Sequence, residues 1–323
     1  MSGLLDDVRD ACAAVASRAR FVHLQQERLA AYAEALSLDY EPPRYDPDHH
    51  YLGEPDATLA YIVTLDAVNF GSGYFPQLQK RPAMSGYFTV ASALKDRFET
   101  GGPLSPAELR DLDMATCADI FGQDTDDPVR AELMRLFTEA LNELGSSLLR
   151  NYSGSFVNLI LEAEQSAERL AEHLSQLRFF RDVSSYQTAD GSFDVPLYKR
   201  AQITASDLAL AFGGAGYGAF DDLDRLTIFA DNLVPHVLRV DGLLRYDPGL
   251  LARIERGELI EADSPEEIEI RAVALHAAER LVGLLRDAGH DITAQQLDVT
   301  LWNRGQQPRY KDEKRHRTRT IFY

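Results

Sequence analysis

Helix-start signals stand in front of apolar segments along most of the chain and set its predicted secondary structure. Ser105-Pro106-Ala107-Glu108 and Ser264-Pro265-Glu266-Glu267 each place a hydroxyl at the N-cap, proline at the first helical position and glutamate at the third. Thr293-Ala294-Gln295-Gln296 has the capping-box spacing, and Asp127-Pro128 offers a cap followed by proline. These signals predict helices at about residues 3–36, 84–98, 105–114, 128–150, 155–178, 200–212, 226–240, 248–256, 265–288 and 294–302. The predicted fold class is therefore mainly α.

Three irregular segments interrupt the predicted helices. Residues 40–57 hold four prolines and the pair His49-His50, and their tyrosines favour a loop folded against the protein over a linker. Residues 71–76 form a predicted turn. The turn at 189–192, which follows Tyr186 and precedes an apolar run, predicts a short β-hairpin. We expect a single compact helical domain with at most this hairpin, the alternative being two helical lobes with the site between them.

One carboxylate, Asp231, lies inside a largely apolar segment, residues 226–240. Pro235 follows four residues later and must interrupt the regular hydrogen bonds there. Spacing alone favours a structural interpretation, in which Asp231 or Asn232 caps a helix that restarts through Pro235. A chemical role is compatible with capping, because apolar neighbours such as Phe229 lower the local dielectric and strengthen the attraction between a carboxylate and developing positive charge.

Composition limits the class of protein. With 26% charged and 45% hydrophobic residues, the chain matches an ordinary globular protein, and two cysteines cannot build a disulfide framework. Asp6, Asp7 and Asp10 stand where an apolar leader would be, and no apolar run reaches the roughly 18 residues of a membrane span. We therefore expect a cytoplasmic protein that does not associate with membranes.

The charge of the chain is strongly acidic, with one basic exception near its end. A net charge of −18 opposes contact with a nucleic-acid backbone, which proteins normally meet with a basic face. In the segment 309–319 the basic residues outnumber Asp312 and Glu313; they are Arg309, Lys311, Lys314, Arg315, Arg317 and Arg319. Such a segment suits one small phosphate, so we expect a small-molecule partner and no direct stable nucleic-acid binding.

Several motifs follow one another in the order of a known family. They are Leu65-Asp66-Ala67-Val68-Asn69-Phe70, Ser85-Gly86-Tyr87, Arg181-Asp182-Val183, Tyr198 to Ile203, Thr227 to Leu238, Glu267-Ile268-Glu269-Ile270-Arg271, Asp298 with Leu301-Trp302, and His316 to Tyr323. In these motifs the chain resembles the queuosine salvage family, hydrolases that free the base queuine from queuosine 5'-phosphate. The resemblance implies a mostly helical hydrolase distantly akin to helix-hairpin-helix DNA glycosylases, with Asp231 facing the ribose. Residues 71–75 depart from the aromatic-rich segment usual in the family, which leaves open the ring that stacks on the base.

The glycine-rich turn at 213–218 lies between two predicted helices, and its glycines allow positive φ and close approach to an anion. A dinucleotide-binding loop needs a preceding strand, whereas the residues before this turn predict a helix, so that interpretation is weak. The succession of helix, glycine turn and aspartate-bearing segment loosely resembles the helix-hairpin-helix glycosylases, without matching their hairpin motif residue by residue.

Asp66, Asn69 and Phe70 are the predicted base-binding residues. On a helix, Asp66 and Asn69 share a face and offer hydrogen bonds, while Phe70 offers a stacking surface. The base implied by the resemblance carries a charged amine that an acid recognises. The alternative is a buried aspartate that accepts backbone amides. Trp302, one turn after Asp298, is either a second wall of the pocket or plain core, and core is the favoured alternative.

Candidate phosphate ligands lie at a helix start and at the chain end. Lys199 follows the predicted hairpin and precedes a helix, where amides and an ammonium converge on an anion; the alternative is a solvated lysine beside Arg200. Arg317 and Arg319 lead into an apolar terminus that we expect to be docked. Their arginine side chains then bind phosphate or pair with acidic groups elsewhere.

The motif at 267–271 contains two oppositely charged residues at the spacing of a common helix ion pair. Glu267 and Arg271 stand at i, i+4, worth a few tenths of a kcal/mol if exposed. Arg271 and Glu269 are predicted as possible supports of the site. We predict no metal, because the histidines show no ligand spacing; His49 and His50 are the one pair held in reserve, as possible support or phosphate groups.

Together these observations predict an N-glycosyl hydrolase that takes queuosine 5'-phosphate to queuine and ribose 5-phosphate, without metal or organic cofactor. Asp231 is the predicted catalytic group, stabilising or attacking the oxocarbenium-like ribose. Phe229, Asn232 and Asp298 are predicted to bind the substrate beside it. We expect a monomer. The alternatives are a non-catalytic binding protein for queuosine nucleotide or queuosine-containing tRNA, and a helical scaffold without a small-molecule site.

Overall fold

The computed structural model describes residues 3–36, 38 and 44–323, and in them the chain is mainly α, as predicted. Residues 40–43 of the expected irregular segment lie outside the described residues. The β-structure in the described ranges consists of two small antiparallel sheets of two strands each. None of the helices described is long and apolar enough to span a lipid bilayer.

The described residues contain fifteen α-helices and four strands. The helices are α1 (Leu4–Ala16), α2 (Leu29–Ala35), α3 (Pro55–Ala67), α4 (Gly86–Gly101), α5 (Pro106–Asp111), α6 (Met114–Phe121), α7 (Pro128–Asn151), α8 (Phe156–Glu162), α9 (Ala167–Ser175), α10 (Lys199–Ala211), α11 (Val234–Val240), α12 (Pro248–Glu255), α13 (Pro265–Asp287), α14 (Ala294–Arg304) and α15 (Pro308–Lys311). The strands are β1 (Val22–Leu24), β2 (Val183–Thr188), β3 (Gly191–Pro196) and β4 (Leu244–Tyr246).

The predicted hairpin is confirmed as β2 and β3. Tyr186 pairs with Phe193 and Thr188 with Gly191 in an antiparallel register. Gly191 adopts φ 136°, which L side chains rarely reach, so glycine closes the turn there. The pair β1–β4, with Val22 opposite Tyr246, was not predicted, because each strand is only three residues long and the two are far apart in sequence.

The helix predicted over 3–36 is wrong in its middle third. After α1 the chain forms β1 and a turn of 3-10 helix before α2 begins. The carboxylate of Glu269 accepts the backbone amides of Arg20, Phe21 and Val22 at 2.9, 2.6 and 3.0 Å. Those amides therefore bind a side chain from a distant part of the sequence and not the carbonyls of a helix.

Three helices of the described chain, α3, α6 and the short α15, were not predicted, and a second predicted helix is divided. In α3 every residue from Thr58 to Ala67 is buried, so the helix lacks the polar face that a periodic pattern needs. The short α6 was missed as well. The helix predicted over 155–178 is divided into α8 and α9. Glu164 and Gln165 adopt positive φ between the two helices, and Ser166 then caps α9.

The described chain forms two compact units. The first contains the residues up to 38, Asp182–Lys199 and Asp224–Arg319; the second contains Arg44–Arg181, Arg200–Leu223 and Thr320–Tyr323. In the first unit, α13 is buried along most of its length and packs against α1, α2, β1 and α14. In the second, α7 packs against α3, α5 and α6. The predicted single domain, or pair of lobes, stays a prediction.

Candidate active site

Asp231 lies in an irregular segment of the first unit. The helix predicted over 226–240 exists only from Val234, because Pro235 is tolerated in the first turn of a helix and not further inside it. Residues 227–230 are buried but carry no helix, so the path of the backbone before Asp231 depends on contacts with other elements.

One oxygen of the Asp231 carboxylate binds the backbone just before α11. Oδ1 accepts the amides of Leu233 at 2.6 Å and Val234 at 3.4 Å. The N-cap residue is Leu233, which makes no side-chain cap bond, so Asp231 holds the approach to the helix and is not itself the predicted cap. Within the described residues Oδ2 has no hydrogen-bond partner. Asp231 is partly exposed, whereas its neighbours Phe229 and Asn232 are buried. One oxygen is thus held by the fold and the other is available to a ligand.

Asp298, on α14, is a second carboxyl group that contacts the irregular segment before Asp231. Its Oδ1 accepts the amide of Phe229 at 2.9 Å, and the residue is only 6% exposed. Burial raises the pKa of Asp298 to about 8, and the negative charge of Asp231 contributes to that rise, against the opposing effects of the Phe229 amide and the Lys199 ammonium. Near pH 7 Asp298 is therefore mostly a neutral acid beside a charged one.

Lys199 is buried, which excludes the solvated lysine that the sequence left open. Its charge acts on Asp298, so the ammonium belongs to the same group of side chains. The backbone amide of Lys199, at the first residue of α10, donates to Asp182 Oδ2 at 3.2 Å.

Arg271 forms a buried ion pair with Asp182 through two hydrogen bonds, Nη2 to Oδ2 at 2.6 Å and Nη1 to Oδ1 at 2.9 Å. Nη1 also lies 3.4 Å from Glu267 Oε1, so the expected ordinary surface pair is in fact buried. Nε donates to the carbonyl of Ala230 at 2.9 Å. These bonds favour the support role over phosphate binding for Arg271.

Glu269 supports the fold at another place. Besides the three amides of β1 and its approach, it accepts the hydroxyl of Tyr186 at 2.7 Å. It therefore ties the hairpin and the N-terminal segment to α13.

The arginines near the chain end differ in their contacts. Arg317 donates Nη2 to the carbonyl of Gly257 at 2.9 Å, and its own carbonyl accepts the amide of Ile260. The guanidinium of Arg317 thus binds a backbone carbonyl, and the two roles predicted for it, phosphate binding or pairing with an acidic group, stay predictions. Arg319 is partly buried. Phosphate binding by Arg319 stays a prediction.

The predicted base-binding residues belong to the second unit. Asp66 is fully buried on α3, and Asn69 Nδ2 donates to its Oδ1 at 3.3 Å. The Phe70 ring is covered by Phe179, stacked with centroids 6.0 Å apart, and by the Arg200 guanidinium at 4.9 Å. Phe70 therefore serves the core of this unit, contrary to the predicted stacking role.

His49 contacts a residue of its own loop, and His50 contacts α4. His49 Nδ1 lies 2.7 Å from Asp46 Oδ2, and His50 Nε2 lies 2.8 Å from the Tyr87 hydroxyl. Burial lowers the pKa of His50. Across the described residues no group of three or more His, Cys, Asp or Glu is arranged to hold a metal ion.

Trp302 is more exposed than predicted, and two acidic residues have contacts that were not predicted. Trp302 is 39% exposed, so the favoured core assignment is wrong, and the role as a pocket wall stays a prediction. Asp182 was not among the predicted site residues, although it stands in a family motif. Asp207 was not among them either; burial raises the pKa of Tyr87, and the charges of Asp207 and Asp66 raise it further.

Comparison with known proteins confirms the resemblance drawn from the motifs. The family described as queuosine salvage protein matches residues 49–323. A Sphaerobacter thermophilus protein named queuosine 5'-phosphate N-glycosylase/hydrolase is 39% identical over 96% of this chain and 95% of its own. Relatives with the same name from Dictyostelium discoideum and Mus musculus are 33% and 29% identical, over 83% and 84% of this chain and 79% and 83% of theirs. The chain belongs to the queuosine salvage protein family.

Proposed function

We propose that this protein is an N-glycosyl hydrolase that converts queuosine 5'-phosphate and water into queuine and ribose 5-phosphate. Relatives that align over most of the chain carry this activity in their names. The observation that carries the proposal within the chain is the carboxylate of Asp231, anchored through Oδ1 among buried residues while Oδ2 has no partner in the described part of the structure.

Asp231 is proposed to act on the sugar. As the bond between C1' and the base nitrogen breaks, its electron pair leaves with the base and positive charge develops on C1' and the ring oxygen. A carboxylate held against that charge lowers the barrier, either electrostatically or by attack on C1'. Water then adds its oxygen at C1', displacing Asp231 if a covalent bond has formed, and the proton that it loses balances the one that the base nitrogen gains.

Asp298 is proposed to assist the departure of the base. A 7-deazapurine has no N7 to accept a proton, so assistance to its departure must come at another position or from stronger stabilisation of the sugar. The neutral form of Asp298 can donate a hydrogen bond, whereas ionised Asp231 can only accept one. The two acids therefore have different roles because their surroundings differ.

The remaining assignments rest on charge. Lys199 and Arg319, both in the first unit, are proposed to bind the phosphate, with Trp302 as a pocket wall. A net charge of −18 supports the free nucleotide as substrate over a tRNA strand. We propose that the protein acts as a monomer in the cytoplasm.

Asp231→Asn tests the proposal with little structural disturbance. The amide oxygen of asparagine can still accept the amides of Leu233 and Val234, so these contacts at the start of α11 are retained while the charge is lost. We expect kcat for queuosine 5'-phosphate to fall at least about 10²-fold with KM nearly unchanged. Release of queuine is followed chromatographically, and thermal unfolding checks the fold. Near-normal turnover by a folded variant would refute the role of Asp231, and substrate binding without turnover by the wild type would favour a binding protein.

A further inference from the structure

The buried ion pair between Arg271 and Asp182 contacts both segments that carry the candidate reactive groups. Arg271 Nε donates to the carbonyl of Ala230, the residue directly before Asp231, at 2.9 Å. Asp182 Oδ2 accepts the amide of Lys199 at 3.2 Å. A single pair of side chains, 89 residues apart in sequence, thus reaches both backbones.

Asp182 also sets the approach to α10 with its main chain. Its carbonyl accepts the amides of Leu197 at 2.9 Å and Tyr198 at 3.4 Å. Tyr198 adopts φ 48°, a left-handed conformation uncommon for residues other than glycine. Such a conformation persists only where surrounding contacts impose it. Asp182 therefore contributes three hydrogen bonds to the turn that places Lys199 at the head of α10, one of them from its side chain.

The segment before Asp231, residues 227–230, also receives hydrogen bonds from distant side chains. Residues 227–230 are buried without helix, and the Ala230 amide bonds the Ile228 carbonyl within the segment, so other backbone groups of the segment depend on hydrogen bonds from other elements. Arg271 supplies one such bond, at Ala230, and Asp298 supplies another, at Phe229. Both bonds act on the two residues that precede Asp231.

Stability alone is a weak reason for this arrangement. Arg271 and Asp182 are 1% and 2% exposed, and the desolvation of a buried ion pair often outweighs its attraction, so apolar residues of similar volume would stabilise the fold as well or better. What an apolar pair cannot supply is directed hydrogen bonding to two irregular segments at once. Reactive groups require such positioning, because a displacement of about 1 Å can reduce the rate 10²-fold.

We propose that Asp182 and Arg271 are positioning residues that hold Asp231 and Lys199 in their working arrangement. This inference rests on the proposed hydrolysis. It assigns neither residue a contact with substrate. Their effect on the reaction passes through the backbone of residues 230 and 199.

Arg271→Lys and Asp182→Asn test the proposal with conservative changes. Lysine keeps the positive charge but cannot make the paired bonds to Asp182 and the bond to Ala230 together; asparagine keeps an oxygen but loses the charge. For both variants we expect kcat for queuosine 5'-phosphate to fall about 10²-fold with KM changed less than about threefold. Asp241→Asn is the matched control. Asp241 is likewise a buried carboxylate of the first unit, bound to Arg304 at 2.9 Å and the Tyr310 hydroxyl at 2.7 Å.

A double-mutant cycle separates positioning from general destabilisation. If Arg271 acts through Asp231, adding Arg271→Lys to Asp231→Asn lowers the residual kcat by less than about threefold. An equal loss in both backgrounds, or a loss matched by Asp241→Asn at equal thermal stability, would overturn the proposal. So would folded single variants with wild-type kcat.

Amide hydrogen exchange gives a readout that does not depend on turnover. In Arg271→Lys and Asp182→Asn we expect faster exchange at Leu233, Val234 and Lys199 than in Asp241→Asn. If the wild type hydrolyses nothing, the proposed function fails, and this measurement still decides the positioning role. Unchanged exchange at all three amides would contradict it.

Discussion

Asp298 leads to a prediction about the pH dependence of the reaction. Burial, together with the charge of Asp231, raises its pKa to about 8. If the neutral form is the active one, kcat/KM for queuosine 5'-phosphate stays level between about pH 6 and 7 and falls about tenfold per unit above pH 8. At pH 9 only about one molecule in ten keeps this proton.

Asp298→Asn removes the titration and preserves the neighbouring contact. The amide oxygen can still accept the Phe229 amide, but the side chain has no proton to lose in this range. Rates for wild type and variant are compared from about pH 6 to 10, with Asp241→Asn measured alongside. We expect the wild type and the control to share the alkaline decline, and we expect Asp298→Asn to abolish it, whatever the absolute rate of that variant.

The same proton affects stability with a defined sign. Because the folded-state pKa is raised from 3.8 to about 8, the folded protein keeps a proton through this window that the unfolded chain has released. The contribution of Asp298 to the free energy of unfolding is therefore largest below the lower value and falls as pH rises towards the upper one, by about 1.4 kcal/mol per unit. The difference between wild type and Asp298→Asn in urea unfolding isolates this contribution.

Two results would refute the reasoning about Asp298. One is an alkaline decline in kcat/KM that persists unchanged in Asp298→Asn, which would assign it to another group. The other is a stability difference between wild type and variant that does not vary between about pH 5 and 8, which would mean that Asp298 is already ionised in the folded protein.

Two further predictions concern residues that the sequence linked to the site. Glu269→Gln should lower the free energy of unfolding by about 1–3 kcal/mol, because three backbone amides lose a charged acceptor; urea unfolding that matches the wild type would contradict this. If Arg319 binds the 5'-phosphate, Arg319→Ala should raise KM for the nucleotide at least about tenfold without the same effect on the nucleoside. Arg317→Ala, which removes a bond to the Gly257 carbonyl, is the matched comparison, and equal losses on both substrates would argue against phosphate binding.

Local sequence predicted the elements whose hydrogen bonds close within a few residues. Ser105 and Thr293 form the expected capping boxes of α5 and α14, and the hairpin closes at Gly191. At α13 only half of the expected box forms: Ser264 caps the Glu267 amide, while the Glu267 side chain contacts Arg271. Where a distant partner competes for a side chain, the local motif alone is insufficient.

In the candidate site, too, some features were predictable from the local sequence and others were not. Asp231 was recognisable because a carboxylate before a proline in an apolar segment is unusual, but its contacts with the amides of Leu233 and Val234 became known only from the structure. The raised pKa of Asp298 was not predictable, because it depends on burial and on charges from other elements. Asp182 was seen only as part of a family motif, with no indication of its partner.

The amino-acid sequence by itself determined the mainly α composition, the caps, the hairpin and the family, since these depend on short-range patterns that neighbouring residues carry. Only the tertiary structure decided that residues 226–233 are irregular, that Phe70 is core and Trp302 exposed, and that Arg271 pairs with Asp182. The physical reason is that burial, electrostatic environment and the satisfaction of backbone groups depend on residues brought together from distant parts of the chain.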